Sequence, residues 1–383
     1  AHQHAAAADR DRRHVLPFEA FAALRESGLG ALRVPKRHGG PEASFRVTAT
    51  VYTELAKADP NVAQAFIPHL TTVERLALVG TEEQQARFFP KVLAGDLFGV
   101  ANAELGGKIR GSVRTTLRRD GEHYRLSGHK FYSTGSLFSQ HLRITAVTDE
   151  NQRVAVLVPA DREGIRMLDD WDGMGQRTTA SGATELTDVL VHPGEIMWPG
   201  RWQGLARDYS DSAVHMLHAS LEVGIALAVL DDAVAYARSH SRPVRESGVE
   251  RAAEDPYIQH TVGTIAARAH AAEALLLHAA DVIDHAAQAP GRGIADPAAL
   301  GRLVAEAAVV VSEIKIVAAE AALSAASLLY EVGGASITRA GANYDRHWRN
   351  ARAIGSHSPL DYKAHAVGDY AVNGTPPPAS GYF

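Results

Sequence analysis

The chain has 383 residues, of which 46% are hydrophobic and 22% are charged, and its formal net charge at pH 7 is -5. This composition is typical of a soluble globular protein with room for two or three domains, and it indicates neither a nucleic-acid nor a membrane partner. The absence of cysteine excludes disulfides, cysteine nucleophiles and thiolate metal sites. No apolar run approaches the roughly 18 residues of a membrane span and no signal peptide opens the chain, so we expect a cytoplasmic location.

Helical periodicity dominates the first part of the chain, where apolar residues recur at three- and four-residue spacing. Gly28 follows one helical segment as a closing glycine does. Thr81, with Gln84 three residues later, predicts a capping box at the start of another helix. We therefore predict an N-terminal helical domain over residues 1–97. Its earlier helical segments are Phe18–Ser27, Phe45–Lys57 and Asn61–Leu78.

Apolar and polar residues alternate in the second part, and Gly121 and Gly128 mark turns there. Short strands at near-regular spacing favour an antiparallel sheet, barrel or sandwich over βαβ units. This pattern predicts a central β domain over residues 98–208. The predicted strands are Ser112–Arg119, His123–Leu126, Lys130–Thr134, Leu142–Val147 and Val154–Pro159.

The third part, residues 209–383, is rich in alanine and helical in period. Long helices joined by short breaks predict an antiparallel four-helix bundle, which is followed by an irregular proline-rich tail from Thr375. The complete fold is therefore α+β, with the order helical domain, β domain and helical bundle. The predicted bundle helices are Val214–His240, Tyr257–Gln288, Pro297–Tyr330 and Leu360–Tyr370.

Several familiar motifs are missing from the sequence. It has no G-x-G-x-x-G dinucleotide fingerprint, no P-loop and no G-x-S-x-G nucleophile elbow. The 19 histidines suggest a metal, but there is no H-E-x-x-H motif, and His215 and His218 have no third ligand nearby in sequence. We therefore expect no metal site.

Five regions of the sequence carry a resemblance to a known family. In chain order they are Val100–Glu104, Lys130–Ser136, Gly175–Gly182, Arg242–Tyr257, and Val332–Ser336 with Arg346–Arg352 and Ser356–Pro359. Together they resemble the acyl-CoA dehydrogenase superfamily over nearly the whole chain. The resemblance is greatest to its flavin-dependent monooxygenase branch, which includes dibenzothiophene monooxygenases and sulfur-acquisition oxidoreductases. The features that match this branch are Gly175–Gly182, Ser247–Arg251 with Glu254–Tyr257, and Arg346–Asn350.

Two departures from the family pattern separate its branches. The dehydrogenases use a glutamate to remove a proton while hydride leaves for the flavin, and the equivalent place here falls at or near Ser358. The Thr-Glu-Pro motif beside the flavin is altered to Ala103-Glu104-Leu105. His357 fits the histidine that the monooxygenase branch carries in this segment. Both departures favour oxygenation over dehydrogenation.

The resemblance thus implies a two-component enzyme that uses reduced FMN, supplied by a separate NAD(P)H:flavin reductase. It would insert one oxygen atom of O2 into a small organic substrate, at sulfur or nitrogen, through a C4a-(hydro)peroxyflavin. A homotetramer is also implied. One alternative is an FAD-dependent dehydrogenase-like enzyme whose base is displaced to Glu222 or Glu254. The other is a non-catalytic scaffold that has lost flavin.

The resemblance also suggests roles for individual residues beside the flavin. His69, Ser133 and His357 are the candidate catalytic residues, and the two histidines would manage protons. The alternative for each histidine is a structural role with its hydrogen bonds satisfied by the protein. Ser133 and Thr134 would contact the flavin. The alternative is that their hydroxyls lie on a β-strand and face solvent. Asn102 would hydrogen-bond the ring system. Trp171 would stack near it or belong to the core.

Cationic side chains are needed for the cofactor phosphate. Arg242 and Arg245 lie where the family holds that phosphate, often across a subunit interface, and Arg339 follows Gly333-Gly334, where backbone can approach a ligand closely. The alternatives are surface salt bridges for the arginines and simple helix termination for the glycine pair. The basic residues Arg346, Arg349 and Arg352 have the spacing of one helical face and could equally line an interface.

Overall fold

A computed structural model describes residues 2–107, 109 and 111–381 of the chain. Its N-terminal part is helical, as predicted. The predicted capping box is present, because the Thr81 hydroxyl accepts from the Gln84 amide at 3.2 Å and the Gln84 side chain accepts from the Thr81 amide at 3.1 Å. Asp59 caps the preceding helix in a similar way. The helices are α1 His2–Arg13, α2 Phe18–Glu26, α3 Phe45–Ala58, α4 Pro60–Val79 and α5 Glu82–Leu93.

The described part of the central region forms one eight-stranded sheet. The strand order is β6-β7-β3-β2-β4-β5-β8, with β1 beside β4. The β1–β4 and β2–β4 pairs are parallel, so the sheet is mixed and not purely antiparallel. The strands are β1 Phe98–Ala101, β2 Thr116–Asp120, β3 His123–Lys130, β4 His141–Thr148, β5 Arg153–Pro159, β6 Ile165–Met167, β7 Thr184–Val191 and β8 Ile196–Met197.

The prediction of a strand over Lys130–Thr134 is wrong. Lys130 ends β3, because Tyr132 adopts a left-handed backbone conformation with φ 56° that no continuous strand accommodates. After Lys130, the Phe131 amide donates to the Ala103 carbonyl at 3.0 Å and the Ser133 amide donates to the Gly182 carbonyl at 3.1 Å. Both acceptors lie outside the strands of the sheet. Alternation of residue types could not reveal this change of partner.

The C-terminal part is the predicted helical bundle, with one additional short helix. Its helix α6 is long and apolar enough to cross a membrane by length and composition, yet 89% of its most apolar window is buried inside the protein. It is therefore the central helix of the bundle. The helices are α6 Ser210–Ser239, α7 Pro256–Gln288, α8 Pro297–Gly333, α9 Asp345–Gly355 and α10 Leu360–Asn373.

A close helix crossing joins the N-terminal helices to the bundle. Gly224 of α6 lies against α3 so tightly that a Cβ built there would stand 2.6 Å from Ala56 Cβ and 2.7 Å from the Thr53 carbonyl oxygen. Asp284 of α7 accepts the Phe45 amide at 2.8 Å and so also holds the start of α3. The first and third parts of the chain are consequently packed as one body.

We predict that Gly224→Ala destabilises the protein by about 1–3 kcal/mol, because the added methyl forces α3 and α6 apart. The matched control is Gly263→Ala in α7, where a Cβ meets nothing within 4 Å. That variant should gain up to about 1 kcal/mol from helix propensity alone. Urea unfolding of both variants measures the difference, and equal effects would show that the crossing is not tightly packed.

Candidate active site

The loop that follows β3 is fixed between two other parts of the chain. Ser133 donates its amide to Gly182, and the Gly135 amide donates to the Thr179 carbonyl at 3.1 Å. Gly135 has φ 76°, and any Cβ there would collide with the Ala65 carbonyl of α4. The loop is therefore held rigidly, and residues 131–134 have a fixed position at the end of the sheet.

Ser133 and Thr134 differ in what their hydroxyls do. The Thr134 hydroxyl lies 2.8 Å from the Ser181 hydroxyl. The Ser181 hydroxyl in turn lies 2.7 Å from the Thr179 hydroxyl. The Ser133 side chain is 1% exposed, and its hydroxyl has no hydrogen-bond partner within the described part of the chain. A buried hydroxyl without a partner costs free energy. Ser133 therefore carries a buried hydroxyl whose hydrogen-bonding capacity is open to a ligand.

Aromatic side chains flank this loop. Tyr132 is half-exposed, and its ring lies edge-to-face with Trp171 at 5.8 Å between centroids. Phe131 packs on Tyr132 at 5.0 Å. The Trp171 indole donates to the Gln176 carbonyl at 2.8 Å, which fixes the indole against its own loop. The three rings form a rigid apolar surface suited to a planar ring system.

The loop of residues 171–182 connects the sheet to the bundle. The amide of Gln176 donates to the Asn350 side chain on α9 at 2.7 Å. Gly175 approaches the Arg349 carbonyl so closely that no Cβ fits between them. The amide of Thr178 donates to Asn61 of α4 at 3.2 Å. One loop therefore contacts the sheet, α4 and α9, and it sets their relative position at the site.

Gln176 is a site candidate that the sequence did not single out. It has φ 53°, is 5% exposed, and neither atom of its side-chain amide finds a partner among the described residues. A buried side-chain amide without hydrogen-bond partners costs free energy, as the buried Ser133 hydroxyl does. Its only sequence signal is its place inside the matching segment Gly175–Gly182.

Asn102 lies at the end of β1 and is partly committed. Its side-chain oxygen accepts from the Thr145 hydroxyl at 2.8 Å, and its carbonyl accepts from Lys130 at 3.3 Å. The side-chain Nδ2 group makes no hydrogen bond with other described residues. The Nδ2 group of Asn102 is therefore available to a ligand as a donor.

Glu104 is fully engaged and cannot serve as a catalytic base. Its carboxylate accepts from Lys130 at 2.7 Å and from the amide and hydroxyl of Thr115 at 2.9 and 2.7 Å. Burial by itself would raise the pKa of Glu104, but these hydrogen bonds outweigh burial and lower it to about 2. The altered Ala103-Glu104-Leu105 motif thus builds an internal ion pair with Lys130.

His69 has a structural role instead of the predicted proton-handling one. Its Nε2 donates to the Gly30 carbonyl at 2.8 Å, and its Nδ1 accepts from the Phe98 amide at 3.0 Å. Because the backbone takes both ring nitrogens, none remains for a ligand. Burial lowers the pKa of His69 to about 4, against a weaker opposing effect of the Gly30 hydrogen bond. The ring is therefore neutral near pH 7.

His357 lies in a cluster of basic side chains. Its ring stacks on His218 of α6, with 4.3 Å between centroids. The hydroxyl of buried Ser358 lies 3.5 Å from Nδ1 of His357 and 3.5 Å from Nδ1 of His215, also on α6. His215 donates Nε2 to the Gly381 carbonyl at 3.1 Å, so its Nδ1 is the accepting nitrogen. Ser358 thus donates to His215 and accepts from His357, so one hydroxyl links the two rings.

The two displaced carboxylates considered for a dehydrogenase are in unsuitable places. Glu222 is fully buried and paired with Lys315 at 2.8 Å. Glu254 is exposed at the start of α7 and paired with Arg251. The Oε1 atom of Glu222 has no hydrogen-bond partner within the described structure. Burial raises the pKa of the Glu222 carboxyl. Neither carboxylate is a solvent-reachable, unpaired base beside Ser133.

The candidate phosphate-binding arginines lie outside this region. Arg242 and Arg245 are exposed in the connection between α6 and α7, and Arg339 is exposed after α8. Within the part of the chain that the structure describes, none of them bonds to the loop at Ser133. Gly333 closes α8, and a Cβ there would stand 2.5 Å from Ile337 Cβ, while Gly334 has φ 56°. The glycine pair therefore has a definite structural role as a helix terminator.

The basic residues of α9 are mostly internal. Arg346 is buried and pairs with Asp232 at 3.2 Å, and Arg349 pairs with Asp11 of α1 at 2.7 Å. Arg352 is exposed. Two of the three residues therefore stabilise the chain itself, and an interface remains possible for Arg352 alone.

The fold and the site together define a class of protein. The fold has a helical domain, a sheet and a helical bundle, and the site combines aromatic side chains with buried, unsatisfied polar groups where the sheet meets the bundle. Acyl-CoA dehydrogenase signatures match the chain in three parts: the N-terminal domain at 1–96, the middle domain at 98–189 and the C-terminal domain at 216–362. The chain belongs to the acyl-CoA dehydrogenase superfamily, in its branch of flavin-dependent monooxygenases.

The similar proteins cover nearly the whole chain. A dibenzothiophene monooxygenase of Mycolicibacterium goodii is 31% identical over 95% of this chain and 89% of its own length. The FMN-bound TdsC structure from Paenibacillus sp. A11-2 is 29% identical, with a TM-score of 0.89 over 100% of this chain and 97% of that one. The methanesulfinate monooxygenase MsuC from Pseudomonas fluorescens is 31% identical, with a TM-score of 0.89 over 98% of this chain and 95% of its own chain.

We predict that His69→Ala lowers stability at pH 7 by about 3 kcal/mol, through two lost hydrogen bonds and a cavity. In the wild type, the depressed pKa of about 4 means that this histidine's contribution is complete above about pH 6.5 and is lost as the pH falls toward 4. The variant should therefore lose less stability than the wild type between pH 7 and pH 5. Urea unfolding at both values tests this, with exposed His270→Ala as the control.

We predict that Glu104→Gln costs about 3–5 kcal/mol, because it leaves the Lys130 ammonium buried without a counter-charge. The double variant with Lys130→Met should recover much of that loss. Glu185→Gln, which breaks the largely exposed pair with Arg166, should cost less than about 1 kcal/mol. Because the pKa of Glu104 is depressed, its contribution is present above about pH 4.3 and disappears toward pH 2. Thermal unfolding of the four proteins compares these costs.

Proposed function

We propose that the chain is the oxygenase component of a two-component system, which uses reduced FMN and O2 to oxidise the sulfur of a small organic compound. The observation that carries this proposal is the rigid loop at the junction of sheet and bundle, with its apolar rings and its unsatisfied Ser133 and Gln176 side chains. The similarity to FMN-bound TdsC and to two sulfur-oxidising enzymes supports both the cofactor and the type of substrate. FAD remains the alternative cofactor.

The residues present fit a flavin. The Ser133 hydroxyl and the Gln176 amide supply buried polar groups for its heteroatoms, and Asn102 supplies a further donor. Tyr132 and Trp171 offer aromatic contact, and Thr134 supports the loop through Ser181. Reduced FMN, when bound, supplies the two electrons with which O2 yields one oxygen atom for the substrate and one water.

His357 is the proposed proton-handling residue. The Ser358 hydroxyl, which also contacts His215, lies 3.5 Å from Nδ1 of His357 and orients its ring. An imidazole is the side chain best suited to moving a proton near neutral pH. The stacked ring of His218 fixes its orientation. With His69 committed to the backbone, His357 alone remains of the two predicted histidines.

The assembly and the partners of the enzyme are also proposals. Arg242, Arg245 and Arg339 are exposed and have no ion pair with the described residues, so they are available to a flavin phosphate bound mainly by another subunit. This arrangement supports the homotetramer. An NAD(P)H:flavin reductase would supply the reduced cofactor, and we propose that both proteins work in the cytoplasm.

The test is oxygenation with chemically reduced FMN, 18O2 and a sulfur substrate such as dibenzothiophene or benzenesulfinate, read by mass spectrometry. We expect one labelled oxygen per product. His357→Gln should bind FMN normally and lose at least about a hundredfold in rate. Ser133→Ala should weaken FMN binding about fivefold, whereas exposed Ser327→Ala should leave it unchanged.

Two results would contradict the proposed function, and a third would contradict only the role of His357. Bleaching of a bound FAD by an acyl-CoA would favour a dehydrogenase. A protein that binds no flavin would be a scaffold. Normal turnover by His357→Gln would remove the assigned proton donor while leaving the oxygenase in place.

A further inference from the structure

Three hydroxyl groups form a chain behind the loop that follows β3. Oγ1 of Thr134 lies 2.8 Å from Oγ of Ser181, which lies 2.7 Å from Oγ1 of Thr179. The Thr179 hydroxyl in turn lies 2.9 Å from the carbonyl oxygen of Gln176. Thr134 is half-buried, whereas Ser181 and Thr179 are buried. The chain therefore runs from the surface of the proposed flavin site into the loop of residues 171–182.

The direction of the hydrogen bonds along this chain has one solution. A carbonyl oxygen cannot donate, so the Thr179 hydroxyl donates to Gln176. Because this uses the proton of Thr179, the short contact between Ser181 and Thr179 requires Ser181 to donate. By the same step Thr134 donates to Ser181. Any other direction would leave two oxygens in short contact with no proton between them.

Thr134 consequently offers a ligand its lone pairs and not its proton. That proton is committed to Ser181, and the Tyr132 carbonyl at 3.5 Å is a distant second acceptor for it. With this direction of bonding, no described residue donates to Oγ1 of Thr134. A free hydroxyl rotates to donate or accept as its partner requires. The Thr134 hydroxyl has lost this freedom, so it needs a donor opposite it.

The other open groups of the site have a different hydrogen-bonding character. The Ser133 hydroxyl has no partner among the described residues, so it can donate or accept. The side-chain amide of Gln176 has both a free donor and a free acceptor. The Nδ2 group of Asn102 is a donor. Of these four groups, Thr134 is the one that can only accept.

Oxidised and reduced flavin differ at a ring atom that such a group detects. Nitrogen N5 is an acceptor without hydrogen in oxidised FMN and carries an N–H in reduced FMN, whereas N3 carries an N–H in both forms. Opposite N5, a hydroxyl that can only accept forms a hydrogen bond with the reduced form and faces a second acceptor in the oxidised form. The inference below rests on the proposed function, in which the protein takes reduced FMN from a reductase.

We propose that Thr134 accepts a hydrogen bond from N5–H, and that Ser181 and Thr179 are positioning residues that make the site selective for reduced FMN. They take up the proton with which Thr134 would otherwise bind the oxidised form. We expect reduced FMN to bind at least about tenfold more tightly than oxidised FMN, because the oxidised form leaves an acceptor unsatisfied. Oxidised FMN left after turnover is therefore exchanged readily for reduced FMN.

The direct test compares the wild type with Thr179→Val and Thr179→Ser, by calorimetry under nitrogen with oxidised FMN and with photochemically reduced FMN. Valine removes the hydroxyl of residue 179, so Ser181 donates to Thr134 and frees the Thr134 proton. Oxidised FMN should bind to this variant about tenfold more tightly than to the wild type, with little change for reduced FMN. Thr179→Ser keeps a hydroxyl and should keep the wild-type ratio of the two affinities.

The ratio of the affinities separates this role from a purely structural one. A structural defect would weaken the binding of both forms to the same extent. The midpoint potential of the bound flavin reports the same ratio, and it should fall by about 30 mV in Thr179→Val, the equivalent of tenfold for a two-electron couple. An unchanged ratio in Thr179→Val, or equal affinities of the wild type for both forms, overturns the proposal.

A second measurement uses the wild type alone and so covers a Thr179→Val variant that does not fold. In 5-deaza-FMN a carbon replaces N5, so neither form carries an N–H there. Reduced 5-deaza-FMN should bind about tenfold more weakly than reduced FMN, and oxidised 5-deaza-FMN at least as tightly as oxidised FMN. Equal binding of the two reduced compounds would show that Thr134 does not accept from N5–H and would sink the proposal.

Binding and turnover distinguish this proposal from the proposed function. A protein that incorporates 18O into a sulfur substrate, but whose affinity ratio is the same in Thr179→Val, keeps the proposed function and loses the selectivity. A protein that shows the Thr179 dependence but incorporates no 18O keeps the selectivity and loses the oxygenase. A protein that binds neither form of FMN loses both.

Discussion

The docking of the loop of residues 171–182 on α9 is the contact on which the site depends. At Gly175 the loop touches the Arg349 carbonyl so closely that only glycine fits, and the next amide bonds to Asn350. The same loop fixes the post-β3 segment through the Ser133–Gly182 bond. The sheet and the helical bundle are separate elements whose relative position needs a contact to fix it. This one loop supplies that contact, and it sets the position of Ser133 and Gln176, the groups proposed to bind flavin, relative to the bundle.

The chemistry of the site follows from which polar groups are already satisfied. Glu104, His69 and Arg346 were plausible functional groups by residue type, yet each has its bonding capacity filled by the protein itself. Ser133 and Gln176 are buried and unsatisfied. Because folding rarely leaves a buried polar atom without a partner, the unsatisfied groups identify the ligand site better than the charged ones do.

The sequence predicted the elements well and their contacts poorly. Periodicity located the long helices to within a few residues, and the Thr81–Gln84 pair predicted a cap that the structure contains. The strand through Thr134 was wrong, because the partner of Ser133 is a loop almost fifty residues away. His215 and His218 were considered only as metal ligands, although their spacing places both on one turn of α6, beside His357. Local pattern carries no information about such distant partners.

The same reasoning explains why the dehydrogenase chemistry of the superfamily does not fit this chain. Where the family's glutamate would stand, Ser358 joins His357 to His215 and so replaces a charged acceptor with a neutral relay. Glu222, one of the two displaced carboxylates considered above, is held by Lys315 in the interior of the bundle. The loss of that glutamate therefore removes the group that would abstract a proton in a dehydrogenase, and it leaves hydroxyl and imidazole groups in its place.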